Sequence, residues 1–234
     1  MRVLFRKTIS APVALVLAIS SAVPAAGWMS DDGALNLSIG AGSYLLSNTV
    51  LENVVKDAEK NASASEVLAE TRFDRQGGYE VSLEAIVASY PAAQQADARV
   101  LFTQMLSYYP KVLNQLGQPE NDLAVGMAAF IAGNYSGYHN IPFPDDKFAP
   151  LVDQMREAMQ TDPQIAAMSA AEKQQLNDML AAVGMQMVTL QNQLQQSPDS
   201  VIAGKMHEAC QQLLHEALGI DADKLQITSV GMIM

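Results

Sequence analysis

The chain has 234 residues, with 25 acidic against 14 basic side chains and a formal net charge of −11 at pH 7. This negative charge argues against binding to nucleic acid or to an anionic membrane surface, because both would repel the protein. Hydrophobic residues make up 49% and aromatic residues 6% of the chain, which favours packed helices over a β-sandwich, and a single cysteine cannot form an internal disulfide.

Residues 1–25 have the pattern of a secretory signal peptide. Three basic residues precede an uncharged apolar run at 9–23, and Val23 and Ala25 suit cleavage after Ala25. The run is short for a membrane span, which needs roughly 20 residues, and an uncleaved N-terminal anchor is the alternative. Cleavage would leave 11 basic against 25 acidic residues. We therefore expect a bacterial protein that is periplasmic or secreted, without stable membrane insertion.

Residues 26–78 are predicted to form an N-terminal segment that is partly mobile and contains one amphipathic helix. Glycine, serine and aspartate punctuate its first part, as is typical of loosely structured chain. Apolar residues recur on one helical face between 44 and 60. Polar and glycine-rich stretches at 61–66 and 75–78 then break the pattern, so the main domain is expected to begin at Tyr79.

Residues 79–234 are predicted to form an all-α domain, an irregular bundle of about five to six helices with a short extended C-terminal tail. A helix at 79–89 precedes one that begins near Pro91 and ends at Gly117, since proline suits a first helical turn and glycine a C-terminal cap. Pro110 lies inside this second helix and is expected to kink or restart it.

The third helix is predicted at 122–135, with Asn121 as its N-cap. Its sequence, DLAVGMAAFIAGNY, is apolar almost all round, which places it at the centre of the core. Residues 133–146 are then predicted to form one long irregular loop. Asp145 or Asp146 is expected to cap the helix that follows.

The clearest helix begins at Ser169, where the sequence SAAE predicts a capping box between Ser169 and Glu172. Apolar residues then recur at spacings of four and three, as in a helical bundle or a coiled coil, and the bundle is favoured. This seam consists of Leu176, Leu180, Val183, Met187, Leu190 and Leu194. The last helix is expected to start at Ser197 and to stop at Gly219, followed by an extended tail at 224–234.

The loop predicted at 133–146 is the best candidate for a partner-binding surface, because its aromatic, imidazole and amide groups are of the kind that anchor interfaces. The candidate contact residues are Asn134, Tyr135, Tyr138, His139, Asn140 and Phe143. The alternative is a helix connection packed down by its own rings. A hydrolytic set of Ser136, His139 and Asp145 is also conceivable, although such residues meet easily by chance in one loop.

The stretch KMHEACQQLLHEAL (205–218) holds the single cysteine and two of the three histidines. A zinc-protease helix needs histidines at i and i+4 around a glutamate, and position 211 is glutamine. The predicted core stripe of this helix is Ile202, Met206, Ala209 and Leu213. Both histidines then face solvent, and His207 with Cys210 would supply only two metal ligands. We expect no metal site and no cofactor, with copper binding through some of the 13 methionines as the alternative.

Three segments resemble a family of exported bacterial all-helical proteins known only as a domain of unknown function. They are NDLAVGMAAFIAGNY (121–135), MSAAEKQQL (168–176) and EALGIDADKLQITSVGM (216–232). The resemblance implies an exported helical domain and no particular activity.

The leading functional hypothesis is an exported, non-enzymatic module that binds another envelope or secreted protein. The first alternative is a periplasmic metal-binding protein, for copper or zinc, or an envelope-stress protein. An enzyme of unrecognised type is the third hypothesis, and a homo-oligomer formed through the seam is left open.

Overall fold

The computed structural model describes residues 70–88 and 90–234, and these residues form seven α-helices and one β-hairpin. The elements are α1 (Glu80–Ala88), α2 (Gln95–Gln115), α3 (Leu123–His139), α4 (Phe148–Gln160), α5 (Pro163–Ala167), α6 (Ala170–Gln196), α7 (Ser200–Leu218), β1 (Gln226–Thr228) and β2 (Gly231–Ile233). The predicted all-α bundle with a short extended tail is confirmed. The predicted signal peptide and the helix expected at 44–60 lie outside the described residues.

Helix α3 lies at the centre of the core, as its apolar sequence predicts. Nearly all of its residues are buried, and α6, α7 and α4 pack around it. The cap expected at Asn121 is wrong by one residue. The Asp122 carboxylate accepts a hydrogen bond from the Ala124 backbone N–H at 3.1 Å, whereas the Asn121 side chain donates to the carbonyl of Phe73. A carboxylate at this position satisfies a free N–H of the first turn.

The closest packing in the fold joins α3 to α6. Gly126 faces Asn177 and Gly133 faces Gly184, so residue numbers rise together along the two helices, which therefore run parallel. A Cβ added to Gly133 would collide with the backbone of Gly184, and one added to Gly184 would collide with the backbone at Ala129. Glycine is required at this crossing because the two backbones leave no room for a side chain.

Helix α6 presents the predicted seam to the interior. All six seam residues are buried, and α1 and α2 also pack against this helix. The capping box between Ser169 and Glu172 is present. The start predicted for the last helix at Ser197 is wrong, because the Asp199 side chain caps α7 by accepting from two backbone N–H groups. The stop at Gly219 is confirmed, where the backbone is left-handed with φ 66°.

Helix α2 does not restart at Pro110. It runs without a break from Gln95 to Gln115, and Tyr109 and Leu113 are buried on either side of the proline. Packing of this continuous apolar face outweighs the hydrogen bond that proline removes. Gly117 ends the helix as expected, with a left-handed backbone of φ 67°.

Residues 70–78, which the sequence places in the N-terminal segment, pack against the helices. The Arg75 guanidinium donates to both carboxylate oxygens of Asp178, at 3.1 and 2.6 Å. The Ser82 hydroxyl donates to the same buried carboxylate at 2.9 Å, and the Phe73 side chain is buried. A charge buried with its partner is costly to separate, so this pair fastens the chain ahead of α1 to α6.

The tail predicted at 224–234 folds into the antiparallel β-hairpin and packs on α4. The Gln154 side-chain oxygen accepts from the Met232 N–H at 2.6 Å, and its amide nitrogen donates to the Met232 carbonyl at 2.9 Å. Lys147 donates to the Ile227 carbonyl at 2.8 Å on the other strand. Side chains of the helical domain thus form hydrogen bonds with backbone groups that would have no protein partner in an isolated two-stranded sheet.

Replacing Gly184 by alanine is expected to destabilise the protein, because the added methyl group would enter the backbone of α3. Overpacking of this kind costs about 1–3 kcal/mol of unfolding free energy. Gly204 in α7 is the matched control, since a Cβ there meets no described atom within 4 Å. Gly204→Ala should stabilise the helix by up to about 1 kcal/mol. Urea unfolding, monitored by circular dichroism, measures the change in unfolding free energy for both variants. Changes of the same sign would contradict the close crossing of α3 and α6.

Candidate partner-binding surface

Most of the loop predicted at 133–146 is helical. Helix α3 continues to His139, and a 3-10 turn at Asp145–Lys147 precedes α4. The expected break is absent because Gly133 fits against α6 and Gly137 fits against Cys210 of α7, so tertiary packing outweighs their low helix propensity. The cap expected from Asp145 or Asp146 is also wrong, since α4 begins without a side-chain cap.

The last turn of α3 carries most of a group of rings that we call the ring cluster: Tyr135, Tyr138, His139, Phe143 and His207. Helical spacing brings the Tyr135 and His139 rings to a centroid distance of 4.5 Å. Phe143 meets Tyr135 edge-on at 6.1 Å and Phe148 of α4 at 6.3 Å. These contacts hold the rings in place where the buried helix α3 reaches the surface.

The six residues predicted to contact a partner divide into two groups. Asn134 is fully buried and donates to the Phe130 carbonyl within α3 at 2.8 Å, so a surface partner cannot reach it. Tyr138 is also buried, whereas Tyr135, His139, Asn140 and Phe143 are exposed or partly exposed at the end of α3 and just beyond it. Asn140 caps the helix in a left-handed conformation and accepts two hydrogen bonds from the Gln195 amide, both at 3.1 Å. The C-terminal ends of α3 and α6 therefore meet beside the ring cluster.

His207 belongs to this surface, although the sequence suggested it only as a possible metal ligand. It is exposed, as expected, and its ring stacks on Tyr138 with centroids 4.1 Å apart and planes at 23°. Its Nδ1 lies 2.9 Å from the Tyr138 carbonyl oxygen. Because a carbonyl can only accept, Nδ1 carries the proton and donates. The sequence could not show this contact, since it joins residues of two separate helices.

Asp223 adds a carboxylate to the ring cluster, and the sequence analysis did not identify it. The Tyr138 hydroxyl donates a hydrogen bond to it. That bond, together with partial burial, raises the pKa of Tyr138 to about 12. Partial burial and the neighbouring His207 lower the pKa of His139, against the opposing attraction of Asp223. The lowered pKa favours the neutral form of the His139 imidazole.

The structure does not assemble the hydrolytic set considered from the sequence. Ser136 is 1% exposed and lies inside α3, so its hydroxyl cannot meet a substrate at the surface. His139 is exposed and contacts aromatic rings.

His207 and Cys210 do not face a common site. The Cys210 side chain is fully buried, with Sγ 3.4 Å from the Met187 sulfur, and burial raises the pKa of its thiol. A neutral buried thiol is a poor metal ligand. Within residues 70–88 and 90–234, no three His, Cys, Asp or Glu side chains are grouped to hold a metal ion. None of the helices described there is long and apolar enough to cross a bilayer.

A family model described as "Family of unknown function (DUF6683)" matches residues 7–234. The chain belongs to this family. The resemblance to an all-helical family of unknown function is thereby confirmed, and the match extends well ahead of the helical domain. No curated protein and no solved structure matches the chain. The geometry of the ring cluster is therefore the basis for a functional hypothesis.

Tyr138→Phe is expected to lower the unfolding free energy by about 0.5–1.5 kcal/mol, since it removes the hydrogen bond to the exposed Asp223 but keeps the ring. The control is Tyr108→Phe, because the Lys111 ammonium lies 4.6 Å from the centre of that ring and phenylalanine retains this contact. Urea unfolding at pH 7 compares the two variants. Equal losses would show that the Tyr138 hydroxyl does not fasten the segment after α7.

Proposed function

We propose that this protein is an exported, non-enzymatic module that binds another envelope or secreted protein through the ring cluster. The observation that carries the proposal is the placement of three rings at the surface: Tyr135 and His139 at the end of the buried helix α3, and Phe143 in the segment that follows it. Rings held in this way lose little conformational entropy when a partner binds. Tyrosine and histidine also offer both apolar area and hydrogen bonds, as interface anchors do.

The other hypotheses have weaker support. A hydrolase that used Ser136 would need this residue at the surface, and a metal site that used His207 and Cys210 would need both side chains to face one site. The copper alternative also draws on methionines, and Met155, Met159, Met187 and Met206 are buried in the core. The export part of the proposal draws its support from the sequence pattern of residues 1–25.

Photo-cross-linking in the producing cells tests the proposal. Benzoylphenylalanine replaces Tyr135 in one variant and Val81 in another. Val81 is 71% exposed and therefore more open to a partner than the partly buried Tyr135, so a missing product at position 81 cannot be due to burial. Val81 also lies far from the ring cluster. Its neighbour Ser82 contacts Asp178 of α6, and Gln195, which contacts Asn140 beside the ring cluster, lies 17 residues further along the same helix. At 1.5 Å per helical residue, this separation is about 25 Å.

We expect one specific cross-linked protein from position 135 and none from position 81. Mass spectrometry of the same material, isolated from the periplasm or the medium, should identify the partner and find a mature chain that begins at Ala26. Identical products from both positions, no product from position 135, or only a product with a second copy of this chain would contradict the partner-binding proposal. An intact N-terminus in the cytoplasm would contradict the export part.

A further inference from the structure

We propose that the partner segment bound at the ring cluster is positively charged, and that an arginine or lysine side chain packs over the rings within reach of the surrounding carboxylates. This inference rests on the proposed function, since it names the chemistry of the partner at that same surface. Two observations support it. Charged side chains are distributed unevenly along the bundle, and one arginine inside the fold already contacts both an aromatic ring and a carboxylate.

Carboxylates accompany the ring cluster. Asp223 accepts a hydrogen bond from the Tyr138 hydroxyl. Asp145 and Asp146 follow Phe143 by two and three residues, and both are exposed. Partial burial raises the pKa of Asp145, and the negative charge of the neighbouring Asp146 adds to the shift through repulsion. A cation placed between these groups would relieve that repulsion.

The arginines of the bundle gather at the opposite end. Arg156 donates to Asp122 at 3.1 and 2.9 Å, and Arg72 lies 3.9 Å from the same carboxylate. Arg75 pairs with Asp178. Asp122 caps the start of α3 and Asp178 lies near the start of α6, whereas the ring cluster lies where both helices end. The remaining arginine in the described part of the chain forms a pair between α1 and α2.

Two lysines near the ring cluster are engaged within the fold. The Lys147 ammonium donates to the Ile227 carbonyl of the hairpin, and Lys224 pairs with Asp221 at 2.8 Å. Both lysines keep their positive charge, and Lys205 of α7 adds a third. Carboxylates still outnumber these ammonium groups, since the same region contains Asp145, Asp146, Glu208, Asp221 and Asp223. The end of the bundle that carries the rings is therefore negative, which selects a positive partner by charge complementarity.

The fold itself contains the contact that we propose for the partner. The Arg75 guanidinium lies over the Tyr79 ring, 4.5 Å from its centre, while it pairs with Asp178. A cation over an aromatic face is attracted by the ring and remains free to bind a carboxylate beside it. At the ring cluster, partly exposed Tyr135 and exposed His139 offer the rings. Asp223, which attracts His139, offers the carboxylate, so an incoming arginine can make the same pair of contacts.

The test is a titration of the isotope-labelled full chain, followed by NMR, with two blocked peptides. One alternates arginine and glycine over eight residues, and the other has citrulline at each arginine position. Citrulline keeps the shape and planarity of arginine without its charge. We expect the arginine peptide to shift resonances of Tyr135, His139 and His207 and to bind about five-fold more tightly than the citrulline peptide.

Charge variants locate the effect. Combined Asp145→Asn and Asp146→Asn substitutions should remove most of the preference for the arginine peptide. Asp74→Asn is the control, because Asp74 is exposed at the opposite end, next to Arg75, and its loss should leave the preference unchanged. An equal loss in the control would overturn the inference, since binding would then depend only on overall charge.

The outcomes separate this inference from the proposed function. If both peptides shift the resonances of the ring cluster equally, the proposal that the partner is positively charged is wrong, although the surface still binds a ligand. If neither peptide binds, or if shifts lie away from the ring cluster, the charge inference is overturned. A specific cross-link from position 135 would in either case still support partner binding.

Discussion

The contact between the backbones of α3 and α6 is the constraint on which the rest of the structure depends. Gly133 and Gly184 let the helices approach until neither position can hold a methyl group. Burial of an almost entirely apolar α3 supplies the driving force, since burying apolar area is the main favourable term in folding. Because the two helices are parallel, α4 and α5 must carry the chain back along the bundle between them. The same parallel arrangement makes the two helices end together, and the ring cluster forms there.

The two ends of this helix pair have different chemistry. At the start, buried Asp122 and Asp178 hold arginines from α4 and from the segment before α1. A buried carboxylate without a partner would be strongly destabilising, so arginine is used there for structure. At the other end, rings and exposed carboxylates meet water, and the described arginines contribute nothing to that surface. This acidic chain thus pairs its four described arginines with carboxylates of its own fold, away from the ring cluster.

Local signals in the sequence predicted much of the fold. The capping box at Ser169 and the glycines at positions 117 and 219 depend only on neighbouring residues, and each marks a helix end in the structure. The seam of α6 follows from helical periodicity. The unbroken passage of α2 through Pro110 and of α3 through Gly137 could not be predicted in this way, because packing against other helices overrides the local preference.

The candidate surface was only partly predictable for the same reason. The many rings in the segment indicated Tyr135, His139 and Phe143. Because the segment was predicted to be a loop, the burial of Asn134 inside helix α3 could not be predicted. His207 and Asp223 join Tyr138 across 69 and 85 residues of sequence. No spacing rule connects residues so far apart, since only the packing of α7 against α3 brings them together.

Hydrogen exchange of the full chain, resolved by NMR, tests the central position of α3 most directly. The account predicts that backbone amides within α3 and in the facing turns of α6 exchange slowest, at the free energy of global unfolding, because those helices can open only when the whole bundle opens. Faster exchange in α3 than in α2 or in the C-terminal hairpin would contradict the claim that the α3–α6 crossing organises the fold.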